Sequence, residues 1–233
     1  MRHFLELRKR MLYVLSLFIL VFVVFFNVAP QLFHYYIQPL LKALPPQSGL
    51  IATDVSSPLF IPIKLAADLA MLCTTPVALW HAWKFAAPGL YLQERRYLSV
   101  ILWMSSCLFL LGVVFCFYLI LPCLFHFFAK ATPFGVKFMP DMGSAADFIT
   151  RMLLIFGVGF QIPLLSLILI KVNIISITTL KNARPYFIVA AFTMGMLLTP
   201  PDVLSQILVA VPLCAMYESG IFLARILIKK SNG

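Results

Sequence analysis

A chain of 233 residues that is 62% hydrophobic and 11% charged, with a mean hydropathy of +1.00, has too little polar surface for a water-soluble fold of this length. Its net charge of +10 lies in short clusters at the ends of apolar runs, not in a stripe interleaved with aromatics, which excludes a nucleic-acid binder. Cations so placed are what membrane topology and anionic headgroups require.

The first apolar run, from Met11 to Val28, spans about 18 residues, longer than the roughly 7–15 of a signal-peptide core, and no A-x-A site follows. It reads as a retained first span, Met11–Ala29. An outer loop rich in proline comes next (Pro30, Pro39, Pro45, Pro46, Pro58 and Pro62), which predicts a stiff cap and a short amphipathic helix near Pro30–Ala43. Span 2, Ile63–Trp83, contains Pro76 and ends in Trp80 and Trp83 as interface anchors. Within it Lys64 and Asp68 are spaced to neutralise each other along one helix.

Span 3, Tyr97–Phe125, is long enough to tilt strongly or to project beyond the bilayer. A second outer loop, Phe127–Asp147, holds Pro, Gly and Asp. In span 4, Phe148–Ile170, Pro163 cannot donate to the carbonyl of Gly159, so a kink is expected beside Gln161. A buried amide in lipid needs a partner. Gln161 is expected either to satisfy the loosened backbone or to reach another helix or subunit.

Spans 5 (Pro185–Leu198) and 6 (Val203–Ala224) form a pair joined by Thr199-Pro200-Pro201-Asp202. Span 5 would be about 21 Å of helix against a hydrocarbon core of roughly 30 Å. Asp202 is placed to cap span 6. Glu218 and Arg225 lie on the same helix near its far end.

Thirteen of the eighteen lysines and arginines fall on one side of these six segments when sides alternate along the chain. Short loops rich in Lys and Arg stay cytoplasmic, so both termini are expected inside. The five cysteines lie in or beside apolar segments with no CxxC spacing and read as small buried hydrophobes. No metal or cofactor site is expected, and no cluster of nucleophile, base and metal ligands suggests an enzyme.

Eight carboxylates exist, and two of them, Glu6 and Glu94, lie on the basic cytoplasmic side. Each reads either as a surface ion pair with a neighbouring arginine or as a carboxylate offered to a cationic ligand, which a guanidinium would engage bidentately.

Six stretches taken together resemble the TatC family, the multispanning subunit of the twin-arginine protein translocase. They are Phe4-Leu5-Glu6-Leu7-Arg8-Lys9-Arg10, Ile51-Ala52-Thr53-Asp54-Val55-Ser56-Ser57-Pro58, the loop Phe85–Arg96, Phe160-Gln161-Ile162-Pro163, Arg184-Pro185-Tyr186, and Gly195-Met196-Leu197-Leu198-Thr199-Pro200-Pro201-Asp202-Val203. The resemblance implies a single membrane domain over residues 1–233, an all-α, six-span, glove-like concave bundle with short spans 5 and 6. It implies a multi-pass protein of the cytoplasmic (inner) membrane. This protein would bind twin-arginine signal peptides and assemble with itself and with the single-span subunits TatA and TatB. Folded proteins would then be exported on the proton-motive force, without a cofactor.

By the same resemblance Glu94 meets the twin arginines, with Glu6, Arg8, Phe85 and Leu90 around it. Met196, Thr199 and Gln206, with Gln161, make a polar partner-docking patch, and Pro39 and Asp202 are sensitive outer positions. Gln161 stands where many relatives carry Glu, and a neutral amide keeps hydrogen bonding while removing a proton-linked role. The alternative reading is a small-solute secondary transporter, which should carry midplane charges or paired broken helices.

Overall fold

A computed structural model describes residues 2–44, 49–53, 55–86, 95–133, 138–172, 174–199 and 202–231. In lipid, every backbone amide must find its partner within the chain, and apolar runs of this length do so as helices. Among the described residues there is no β-strand, and five helices are long and apolar enough to cross a membrane. A shorter apolar helix, Arg184–Leu198, accompanies them.

The elements in chain order are α1 (Arg2–Tyr36), α2 (Gln38–Ala43), α3 (Ser57–Ala86), α4 (Arg95–Phe115), α5 (Leu121–Ala131), α6 (Met142–Gly159), α7 (Ile162–Lys171), α8 (Ile177–Asn182), α9 (Arg184–Leu198) and α10 (Val203–Ser231). α1 lies along α3, α4 packs on α3 and α6, and α10 packs on α7 and α9. One large apolar cluster is built around Phe109, Leu121, Leu124, Met152 and Phe156, and a small one joins Ile170, Leu180, Tyr217 and Ile221.

Proline decides where the long helices are interrupted. Pro122 cannot donate to the carbonyl four residues back, and the turn before it, Cys116–Ile120, widens to a π-helix in which Leu121 N–H bonds the Cys116 carbonyl. At Pro163 the fourth span, Met142–Lys171, breaks into two helices, as the expected kink requires. α6 stops at Gly159, Phe160 and Gln161 form a turn, and α7 restarts at Ile162 with the proline in its first turn, where no amide is needed. Pro30 has the opposite outcome. α1 runs straight through it to Tyr36, so the separate helix expected over Pro30–Ala43 is only the six-residue α2, begun by the buried Pro39.

Close helix contact depends on glycine. A Cβ on Gly112 of α4 would lie 2.6 Å from the Phe156 carbonyl oxygen of α6, so no larger residue allows this approach. Apolar side chains gain little by leaving lipid for protein, and such small-residue contacts carry the packing instead.

Several polar expectations are corrected by tertiary contacts. Lys64 pairs not with Asp68 but with Asp147 of α6, at 2.7 Å. Asp68 accepts from Thr150 Oγ1 at 2.8 Å, and Tyr36 OH lies 2.5 Å from the same hydroxyl, so α1, α3 and α6 meet at one threonine. Glu218, for which the sequence suggested no partner, pairs with Arg184 of α9 at 2.6 Å. α9 is short at 15 residues, whereas α10 continues to 29 residues, past the expected Ala224.

The two outer loops are pinned by Asp141. Ile51 N–H donates to the Pro140 carbonyl at 3.2 Å, and Met142 N–H donates to the Ile51 carbonyl at 2.9 Å. Asp141 Oδ2 caps α6 by accepting from Ser144 N–H at 2.9 Å, while Oδ1 accepts from Thr53 Oγ1 at 3.0 Å. The Ser144 amide first, then the Thr53 hydroxyl and amide, hold the Asp141 carboxyl down to about 2.

A carboxyl lowered on folding contributes stability above its unfolded value of about 4 and loses that contribution as the pH falls through about 2. Asp141→Ala should therefore cost about 1 kcal/mol at neutral pH, the ordinary worth of an N-cap. The gap in apparent melting temperature between variant and wild type, measured in detergent, should close on acidification. A gap independent of pH would mean that the carboxylate does not hold the loops together.

Candidate functional site

The basic end of α1 carries the first group of candidate residues. Glu6 Oε1 accepts from Arg10 Nη2 at 2.5 Å, one helical turn on, and Arg10 Nη1 lies 3.4 Å from the His81 carbonyl of α3. The Arg10 side chain is 15% exposed and that of Glu6 46%, so the arginine is sunk against α3 while the carboxylate stays accessible. The Tyr13 ring lies parallel to His81, 6.5 Å away. Arg8 is exposed. Leu90, Glu94 and the side chain of Phe85 lie outside the described residues. Glu6 and Arg8 are thus the parts of the expected signal-peptide site that the structure describes, and Arg10 is a neighbour the sequence reading passed over.

A second group sits at the break between α6 and α7. Gln161 is 2% exposed and spends both ends of its amide on one residue of α4. Its Oε1 accepts from Ser105 Oγ at 2.9 Å, and its Nε2 donates to the Ser105 carbonyl at 2.7 Å. Trp83 Nε1 of α3 donates to the same serine hydroxyl at 3.2 Å. Of the two expectations for Gln161, the contact with another helix is the one observed. Burial this complete keeps the side chain off any docking surface, so Gln161 is not brought to the patch on α9 and α10. Trp83, expected as an interface anchor, turns inward to this chain of hydrogen bonds, while Trp80 packs edge-on against Trp103. Ser105 carried no signal in the sequence, because a serine in an apolar helix commonly bonds its own backbone.

The patch residues themselves divide. Met196 is 60% exposed on α9, Gln206 is half-buried on α10, and Thr199 is buried with its hydroxyl donating to the Gly195 carbonyl at 3.0 Å. They stand together because α9 and α10 touch at Gly195, where a Cβ would lie 3.2 Å from the Gln206 carbonyl oxygen. Asp202 Oδ2 caps α10 through the Ser205 amide at 2.8 Å, as its position predicts. The Ser205 hydroxyl beside it is buried with no hydrogen-bond partner among the described residues.

Among the described residues no group of three or more His, Cys, Asp or Glu could hold a metal ion. What these arrangements offer is recognition and packing: a carboxylate at a basic membrane boundary, and exposed apolar and polar atoms on a short helix pair.

The Gln161 network has a measurable worth. Gln161→Leu removes both hydrogen bonds to Ser105 and should lower stability by on the order of 1 kcal/mol, typical of a contact between helices in a bilayer. Gln161→Glu should cost more where the carboxyl is ionised, because a second acceptor would then face the Ser105 carbonyl where Nε2 now donates, and little where it is protonated and donates there itself. Apparent melting temperatures in detergent at high and low pH check the order; a Glu variant as stable as wild type at high pH would contradict the geometry.

The family model for the Sec-independent protein translocase protein (TatC) matches residues 2–212. The chain is 40% identical over 223 residues to the Sec-independent protein translocase protein TatC of Haemophilus influenzae, covering 96% of this chain and 87% of that protein. It is also 40% identical over 230 residues to the TatC protein of Escherichia coli K12, covering 99% and 89% respectively. A crystal structure of the twin-arginine translocase receptor TatC superposes with a TM-score of 0.85 at 32% identity, over 96% of this chain and 98% of that one. A helical membrane protein with these relatives belongs to the TatC family and is a protein-translocase subunit rather than an enzyme.

Proposed function

We propose that this chain is the signal-peptide receptor of a twin-arginine translocase. It would recognise paired arginines at its cytoplasmic face and assemble with TatA-type and TatB-type single-span subunits, and with further copies of itself. Folded proteins would be exported on the proton-motive force. The solved relative described as a twin-arginine translocase receptor supports this reading. So does the basic charge at one side of the spans; on this reading both termini lie in the cytoplasm and the protein in the inner membrane. On that reading residues 1–233 form one six-span membrane domain.

The observation that carries the proposal is the Glu6 carboxylate, half-exposed at the basic end of α1 and already engaged by a guanidinium. A carboxylate at a headgroup boundary, partly withdrawn from water, favours a planar guanidinium over a strongly hydrated ammonium. Glu94 is assigned the principal contact to the arginine pair, with Glu6, Arg8, Phe85 and Leu90 around it. The docking role is assigned to Met196, Thr199 and Gln206, while Gln161 holds the interior by its contact with α4. Pro39 and Asp202, in their helix-starting positions, would set the outer rim.

A photoreactive residue at position 90, in membranes, should crosslink a signal peptide carrying Arg-Arg and lose most of the signal with Lys-Lys. Glu94→Lys should reduce the Arg-Arg signal by about tenfold or more at an unchanged protein level, since it replaces an attraction with a repulsion. Equal crosslinking by both peptides would refute the receptor assignment.

A cysteine at Met196, introduced after replacing the five native cysteines, should crosslink to a cysteine in the span of a TatB-type subunit. Crosslinks appearing only from other spans, such as the exposed faces of α1 or α4, would move the docking site there.

A further inference from the structure

The carboxylate that the receptor reading assigns to the ligand is occupied within the chain itself. Arg10 Nη2 donates to Glu6 Oε1, and the same guanidinium reaches the His81 carbonyl. Its Nε is buried with no hydrogen-bond partner among the described residues. An ion pair between residues four apart on an exposed helix face is weak. Here the arginine side chain is mostly withdrawn from water against α3, where charge interactions strengthen.

We propose that Arg10 is a built-in competitor for the signal peptide: in the empty receptor it holds Glu6, and an incoming arginine must displace it. This rests on the receptor reading above. The chemistry is a like-for-like exchange, one guanidinium for another on the same carboxylate. Such an exchange binds and releases readily, which suits a receptor that has to pass its cargo on. Arg10 is tethered one turn from Glu6, so its effective concentration there is high and does not change with ligand.

Two effects of removing Arg10 oppose each other. Glu6 would lose a support that restricts its rotamers, which weakens binding. The ligand would lose both a tethered competitor and a like charge close to its own, which strengthens it. The second outweighs the first, because a few side-chain torsions are a smaller loss than a partly desolvated charge repulsion. Displacement is required of any cationic peptide, so Arg10 sets the affinity of Arg-Arg and Lys-Lys peptides alike and leaves their ratio unchanged. That ratio is set by the guanidinium contacts themselves.

The test is equilibrium binding of two fluorescent synthetic peptides, one with Arg-Arg and one with Lys-Lys ahead of an apolar segment, to the full chain in proteoliposomes. Arg10→Gln removes charge and fork, Arg10→Lys keeps the charge but not the fork, and Lys9→Gln removes an exposed charge one residue away. Arg10→Gln should tighten both peptides by about tenfold, the competitor's effective concentration being lost. Arg10→Lys should tighten them by a few fold and guards against a folding artefact. Lys9→Gln should change either by less than about threefold, as expected of a screened surface charge.

Unchanged or weaker binding in both Arg10 variants, with wild type still preferring Arg-Arg, would overturn the competitor while the receptor reading stands. Equal tightening by Lys9→Gln would reduce the effect to bulk charge and also overturn it. A wild type that does not distinguish the two peptides would remove the receptor reading, and the competitor with it.

Discussion

The contact on which this bundle turns is the pair of hydrogen bonds between Gln161 and Ser105. Lipid takes away most of the apolar driving force between helices, so a polar contact in the interior orders the spans more than its modest energy suggests. Pro163 breaks the helix at Gln161, and the buried side-chain amide at that break reaches α4. Trp83 brings α3 to the same hydroxyl. Three segments separated in the chain are thereby held in one register, which positions both the basic end of α3 and the start of α7.

Around that centre, close backbone approach does the remaining work. Gly112 brings α4 onto α6, and Gly195 brings α9 onto α10. A second polar junction, where Tyr36, Asp68 and Thr150 meet, ties α1 to α3 and α6. Both polar junctions are inside the bundle, where an unsatisfied polar atom would be costly and a satisfied one therefore specifies a single arrangement.

The end of the bundle that carries Thr53 and Asp141 is organised differently, by capping. Asp141 closes the first turn of α6 and binds the loop carrying Thr53, so one carboxylate serves a helix end and a loop contact together. Ion pairs stand at both ends: Lys64 with Asp147 near that loop, and Glu6 with Arg10 and Glu218 with Arg184 at the basic end.

Much was legible from residues alone. Six apolar segments, the basic asymmetry, the short fifth span, the break at Pro163 and the cap at Asp202 follow from local chemistry: helix length, missing amides and capping geometry reach only a few residues along the chain. Asp141 carried such a signal too, an Asp three residues before Ser144 at a helix start, and could have been found by it. Partner choice was not legible. Lys64 lies one turn from Asp68 in the sequence yet pairs with Asp147, and Glu218 finds its partner, Arg184, on another helix. Gln161 had several possible partners until the fold put Ser105 beside it. The chain itself determined where helices begin, break and end, because those are backbone events; only the tertiary structure decided which polar groups meet, because that depends on crossings between helices far apart in sequence.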